Sequence, residues 1–144
     1  MATKFDEVYG YFLSQIDDYD LANLDKETLD DVLKRYLINS LLHLQDSITD
    51  LLDLNIEENQ FNTTLTFTEI LLTAKAMKLT WTSEKRYAEE LMRKAIGDRD
   101  YKAVQGTEYL REIGLVERQL REEIRQDLMR HSYSKQEFWG DILG

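Results

Sequence analysis

The chain has 144 residues, of which 42% are hydrophobic and 32% are charged. Its formal net charge of −10 lies entirely in residues 1–65, which contain four Lys and Arg and fourteen Asp and Glu. This half therefore lacks the cluster of basic residues that binding to nucleic-acid phosphates requires. With no Cys, the sequence excludes a disulfide framework, a thiolate nucleophile and a thiolate metal site.

The absence of Pro and the wide spacing of six Gly residues favour long helices. Thr3 is placed to cap a first helix, whose apolar residues recur at spacings of three and four and so share one face. They are Phe5, Val8, Tyr9, Phe12, Leu13 and Ile16. After an acidic connector at 17–20, Asp25 is placed to cap a second helix that runs to about Leu54, a length of about 40 Å.

Helical periodicity fails over residues 55–66, which predicts an irregular loop or a short extended segment. Thr66 and Glu69 then form a Thr-x-x-Glu capping box that starts a third helix. A break near residues 80–83 separates it from a fourth helix, with Ser83 as its cap and Gly97 as its end. The stripe predicted for this fourth helix is Tyr87, Ala88, Leu91, Met92 and Ala95.

The last predicted helix starts at Asp98 or Asp100 and runs to about His131, which makes it about 45 Å long. A compact domain of this size has a radius of gyration of only about 15 Å, so the helix should outrun its own core. Its apolar side contains Val104, Leu110, Ile113, Val116, Leu120, Ile124 and Leu128. Glu117 and Arg121 are expected on the outward face as an i,i+4 pair.

The predicted fold is therefore all-α, with about five helices including two long ones and an extended C-terminal tail. Residues 1–131 form a single helical domain, and residues 132–144 form the tail, which is too short for a domain of its own. Terminal apolar residues of this kind usually dock, either on the parent helices or on a neighbouring subunit or other partner. The predicted protein-interface residues are Tyr133, Phe138, Trp139, Ile142 and Leu143.

No motif in the sequence predicts catalysis, a cofactor or a metal. His43 and His131 lack the Glu-x-x-His spacing of helical carboxylate metal centres, because Ser40 and Leu128 stand where the Glu would be. The acids at 17–20 do not fit a calcium loop, and Gly97 lies in no phosphate-binding pattern. Four aromatics, Trp81, Tyr87, Tyr101 and Tyr109, favour core packing over a ligand pocket. We also expect neither a secretory leader nor a membrane span.

The sequence resembles the head-to-tail connector proteins, also called neck or adaptor proteins, of tailed bacteriophages that infect Gram-positive hosts. The resemblance is carried by the opening residues 3–9 and 12–19, by Phe61-Asn62, by the turn at 97–102 and by Ser132-Tyr133-Ser134. The resemblance is in the arrangement of these segments, and it extends over most of the chain.

This resemblance implies a structural virion protein, made in the host cytoplasm, that forms a homo-oligomeric ring, commonly of twelve subunits. Such a ring lies between the portal protein and the tail or neck proteins, and DNA passes through it without specific binding. The resemblance implies no catalytic residues. The alternative hypothesis is an acidic helical adaptor or inhibitor that binds a basic protein partner through residues 1–65, with binding that weakens steeply as salt rises.

Overall fold

The computed structural model describes residues 2–16, 18–44, 49–105 and 108–143, and the side chains of these except 19, 20, 49, 50, 105 and 132–143. The elements in chain order are β1 (Thr3–Lys4), α1 (Phe5–Ser14), α2 (Tyr19–Ala22), α3 (Lys26–Ser40), β2 (Leu54–Asn55), β3 (Gln60–Phe61), α4 (Phe67–Ile96), α5 (Asp98–Gln105) and α6 (Tyr109–Leu143). Short 3₁₀ helices occupy Leu41–His43 and Thr49–Leu52. The predicted all-α class is confirmed, since each strand in the described part of the chain has only two residues.

A small antiparallel sheet joins the N-terminus to the segment predicted as irregular. The strand order is β1-β3-β2, and both outer strands pair with Phe61, through Thr3 and Leu54. Thr3 was predicted to cap the first helix, which is wrong: Lys4 holds the N-cap position without a side-chain bond. The Thr3 hydroxyl instead accepts a hydrogen bond from the backbone N–H of Leu65 at 2.9 Å, which ties the two segments together.

The core forms around the first half of α4, where α1, α3 and the middle of α6 pack against it. The predicted face of α1 is confirmed for Phe5, Val8, Tyr9 and Phe12, which are all buried. Of its other two predicted members, Leu13 is exposed and Ile16 lies beyond the end of the helix, where it is half-buried. The side chain of Phe61 is fully buried and meets the edge of Phe5, with 5.1 Å between ring centroids. The sheet therefore closes one end of the core.

The second helix is shorter than the sequence predicted. It begins after Asp25, as expected, but α3 ends at Ser40 rather than near Leu54. A straight continuation would carry Leu51 about 16 Å beyond Ser40 along the helix axis. The chain turns instead, so that Leu44 and Leu51 are both buried in the same core.

The predicted break at residues 80–83 is also wrong, because α4 is continuous from Phe67 to Ile96. Thr80 and Thr82 do not interrupt the backbone; their hydroxyls donate to the carbonyls four residues earlier, at 3.1 and 2.8 Å. This bonding is how a helix interior accommodates Thr. The two predicted ends are confirmed, with both hydrogen bonds of the Thr66–Glu69 capping box present and Gly97 at the C-terminus.

The last predicted helix is two helices, α5 and α6, and residues 106 and 107 between them lie outside the described part of the chain. Helix α6 continues to Leu143, whereas the sequence predicted an end near His131 followed by an extended tail. It runs antiparallel to α4: Glu69 lies beside His131, Lys75 beside Asp127, and Ser83 beside Glu117. The two long helices of the fold are therefore α4 and α6.

Replacing Phe61 with Ala should destabilise the fold strongly, because a fully buried ring leaves a cavity between the sheet and α1. We expect the free energy of unfolding, measured by urea titration, to fall by about 3–5 kcal/mol. Phe67→Ala is the matched control, since that ring is 61% exposed, and its cost should stay below about 1 kcal/mol. Equal losses in the two variants would contradict the placement of Phe61.

Candidate functional site

Helix α4 extends well beyond the core that forms around its first half. Its last fully buried side chain is Thr82, and every residue from 83 to 96 is described and at least partly exposed. Residues 109–116 of α6 also lack a buried side chain. We call residues 83–105 and 108–116 the distal arm. At 1.5 Å per residue, its α4 portion is about 20 Å long.

One side of the distal arm is an uncovered apolar surface. Tyr87, Ala88, Leu91 and Ala95 are all exposed, and their spacings place them on one face of α4. We call these four residues the α4 apolar face. The sequence predicted them, together with Met92, as the apolar stripe of a helix; in the structure these four residues face solvent and Met92 is half-buried. We take this face as the candidate contact surface of the molecule.

The other side of the arm is closed by α5. Tyr101 is the one buried side chain among the described residues of the arm, and its hydroxyl donates to Glu89 at 2.9 Å. Burial, followed by this bond to a carboxylate, raises the pKa of Tyr101 to about 12. Gly97 permits the reversal from α4 to α5, since its φ of 89° lies in the region that favours glycine. The arm therefore has a covered side and an open side.

A buried ion cluster anchors the base of the arm. Glu117 of α6 is only 5% exposed and accepts hydrogen bonds from Arg86, Arg121 and Ser83. Burial opposes its ionisation, but the bonds from the two guanidinium groups and the hydroxyl prevail and lower the pKa of Glu117. The predicted i,i+4 pair of Glu117 and Arg121 is present, with Arg121 exposed as expected and Glu117 buried instead of outward. Ser83 donates to Glu117 and does not cap a helix.

An open groove borders the α4 apolar face. It has a volume of about 340 Å³ and lies where α3, α4 and α6 meet. Its lining residues are Asn39, His43, Thr80, Ser83, Glu84, Tyr87 and Arg121. Tyr87 belongs to both surfaces, so the groove and the face are continuous. Desolvation of the His43 ring, followed by the positive charge of Arg121, lowers the pKa of His43, which favours a neutral imidazole at neutral pH.

The four aromatics predicted as core divide into two pairs. Tyr101 is buried and Trp81 is partly buried, whereas Tyr87 and Tyr109 are exposed. The Trp81 indole donates to Asp18 at 2.8 Å, and Asp18 also accepts from the backbone N–H of Leu21. Burial opposes ionisation here too, but the bonds from Trp81 and Leu21, with Lys85 nearby, lower the pKa of Asp18. This side of the acidic connector is therefore fixed to α4.

The predicted protein-interface residues lie in the last part of α6. The backbone of Tyr133, Phe138, Trp139, Ile142 and Leu143 is helical, while their side chains lie outside the described part of the structure. Their role in an interface stays a prediction. His131, just before them, has a mostly buried side chain whose Nε2 lies 3.7 Å from a carboxylate oxygen of Glu69, so the segment begins beside the first turn of α4.

Among the described residues, no group of three or more His, Asp or Glu is arranged to hold a metal ion. Within the same residues, none of the helices combines the length and apolar character that crossing a membrane needs. Comparison with protein-family models, with curated proteins and with solved structures finds no match to this chain. The distal arm with its α4 apolar face is therefore the candidate site on geometric grounds.

Replacing Glu117 with Gln should weaken the base of the arm, because two arginines lose a charged partner that is buried between them. We expect the free energy of unfolding at pH 7 to fall by about 1–2 kcal/mol. Since the folded-state pKa lies below the ordinary glutamate value of 4.5, the stabilisation is fully present above that value and is lost as the pH falls through the folded pKa.

We expect urea titrations from pH 7 down through pH 4.5 to show a difference in the free energy of unfolding between the wild type and Glu117→Gln. This difference should narrow below pH 4.5. Glu122→Gln is the control, because Glu122 pairs with Arg125 on the exposed side of α6 and should cost less. A loss of unfolding free energy in Glu117→Gln that did not change with pH would contradict a stabilising role of the ion cluster.

Proposed function

We propose that this protein is a structural assembly protein, a head-to-tail connector subunit of a tailed bacteriophage that forms a ring with identical copies between portal and tail. The observation that carries the proposal is the α4 apolar face, a row of exposed apolar residues on a helix that runs past its own core. In a closed ring, the contacts between identical copies would bury that face and remove it from water.

The anchoring of the distal arm supports this role. A subunit contact needs a surface that keeps its shape before binding, because ordering side chains on association costs free energy. The Glu117 cluster holds α4 and α6 together at the base of the arm, and Tyr101 packs α5 against α4 further out. The apolar face is thus carried on a braced pair of helices.

The distribution of charge supports the passage of DNA. All of the net charge of −10 is in residues 1–65, which contain α1, α2, α3 and the small sheet. A channel lined by such elements would repel phosphates rather than bind them. In this proposal the acidic elements contribute to the lumen of the ring, and DNA passes without specific contacts.

Leu91→Lys should weaken assembly without unfolding the subunit, since Leu91 is already 49% exposed in the single chain. Burying a Leu side chain is worth about 2 kcal/mol, so the concentration for half-assembly should rise at least about tenfold. Size-exclusion chromatography with light scattering measures the oligomer, negative-stain images show the ring, and circular dichroism reports helix content.

Leu52→Lys is the matched control, because Leu52 is 51% exposed but lies outside the distal arm. It should assemble as the wild type does. A wild-type protein that stays monomeric at all concentrations, alone and with portal protein, would contradict the proposal. A monomer that binds a basic protein with steep salt dependence would favour the acidic adaptor instead.

A further inference from the structure

The α4 apolar face has a specific occupant within this chain. We infer that it receives the last part of α6, residues 135–143, from a second copy of the protein. This inference rests on the proposed function and specifies the contact by which one subunit joins the next.

The two segments carry the same spacing of apolar residues. On α4, Tyr87, Ala88 and Leu91 follow Glu84 at intervals of three, four and seven residues. In α6, Phe138, Trp139 and Ile142 follow Lys135 at those same intervals. Because both segments are helical, each set falls on one helix face, and faces with this spacing pack against each other as helix pairs do.

The charges of the two faces are complementary. Glu84 stands on the same face of α4 as the apolar residues, at the edge of the groove; it pairs with Arg35 of α3 at 3.3 Å and its side chain is still 40% exposed. Lys135 stands on the same helix face as Phe138, Trp139 and Ile142, from its spacing along α6. The α4 stripe therefore begins at an accessible acid and the α6 stripe at a base, which favours pairing of the two stripes in parallel.

The contact must form between copies, because the two surfaces lie at opposite ends of one subunit. The antiparallel pairing of α4 with α6 places His131 beside Glu69, and Leu91 lies twenty-two residues further along α4, about 33 Å away. Beyond His131, α6 continues away from that point to Leu143, which adds about 18 Å. A helical segment at this position cannot reach the α4 apolar face of its own chain.

The groove next to the face extends the contact surface. Tyr87 lines it together with His43 and Arg121, so a helix seated on the face would continue toward the end of α3. Desolvation, followed by the charge of Arg121, lowers the pKa of His43, which favours the neutral ring. The two charged residues of the groove lining each have an ion-pair partner: Glu84 pairs with Arg35, and Arg121 pairs with Glu117.

The chain has no Cys, so single cysteines report the contact directly. Ala88→Cys and Ser134→Cys, which leaves Lys135 in place, are prepared separately in the full-length protein, one of them with a size tag, then mixed and treated with a short bismaleimide. Leu52→Cys mixed with Ser134→Cys is the matched control. The tagged heterodimer band, followed over time on denaturing gels, should form at least about tenfold faster in the first mixture, because docking raises the local thiol concentration.

Adding Leu91→Lys to the Ala88→Cys chain should return the rate to that of the control, and circular dichroism checks that each variant is folded. Rings that form while the two mixtures cross-link equally would overturn this contact and leave the connector proposal standing. Rapid cross-linking in a closed dimer would support the contact and overturn the ring. A monomer that cross-links at the control rate would overturn both.

Discussion

The continuity of α4 is the constraint on which the rest of the molecule depends. Each of the other helices of eight or more residues in the described chain, α1, α3, α5 and α6, packs against it. Its backbone passes unbroken through residues 80–83, where the hydroxyls of Thr80 and Thr82 donate to carbonyls of the preceding turn. A break there would separate the core from the distal arm.

The exposed stripe on the distal arm follows from a mismatch of helix lengths. Helix α4 has 30 residues and is about 45 Å long, while α3 has 15 residues and is about 22 Å long. Helix α1 is shorter still. These two helices can cover only the first half of α4, while α5 and α6 pack against other sides of its second half. The α4 apolar face therefore remains exposed in the single chain, and tighter packing of the core would not cover it.

Apolar packing and ion pairing have separate roles along the α4–α6 interface. Near the core, Leu120 and Ile124 are buried among apolar neighbours. At the base of the arm, Glu117 between Arg86 and Arg121 replaces them. A buried carboxylate needs its partners at defined positions, so this cluster specifies the alignment of the two helices where packing alone would leave it loose. Specific alignment here sets the direction in which α6 leaves the core toward residues 132–143.

Features that depend on neighbouring residues were readable from the sequence alone. Three such features each involve residues within one or two helical turns: the Thr66–Glu69 capping box, the end of α4 at Gly97 and the buried face of α1. The lack of Pro indicated an all-α fold. The tertiary structure decided the rest. Thr3 bonds to Leu65 sixty-two positions away, and Ser83 bonds to Glu117 thirty-four positions away; periodicity contains no information about such pairs. Periodicity places Leu91 on an apolar stripe. It does not show what covers that stripe, because coverage depends on the lengths and turns of the other helices.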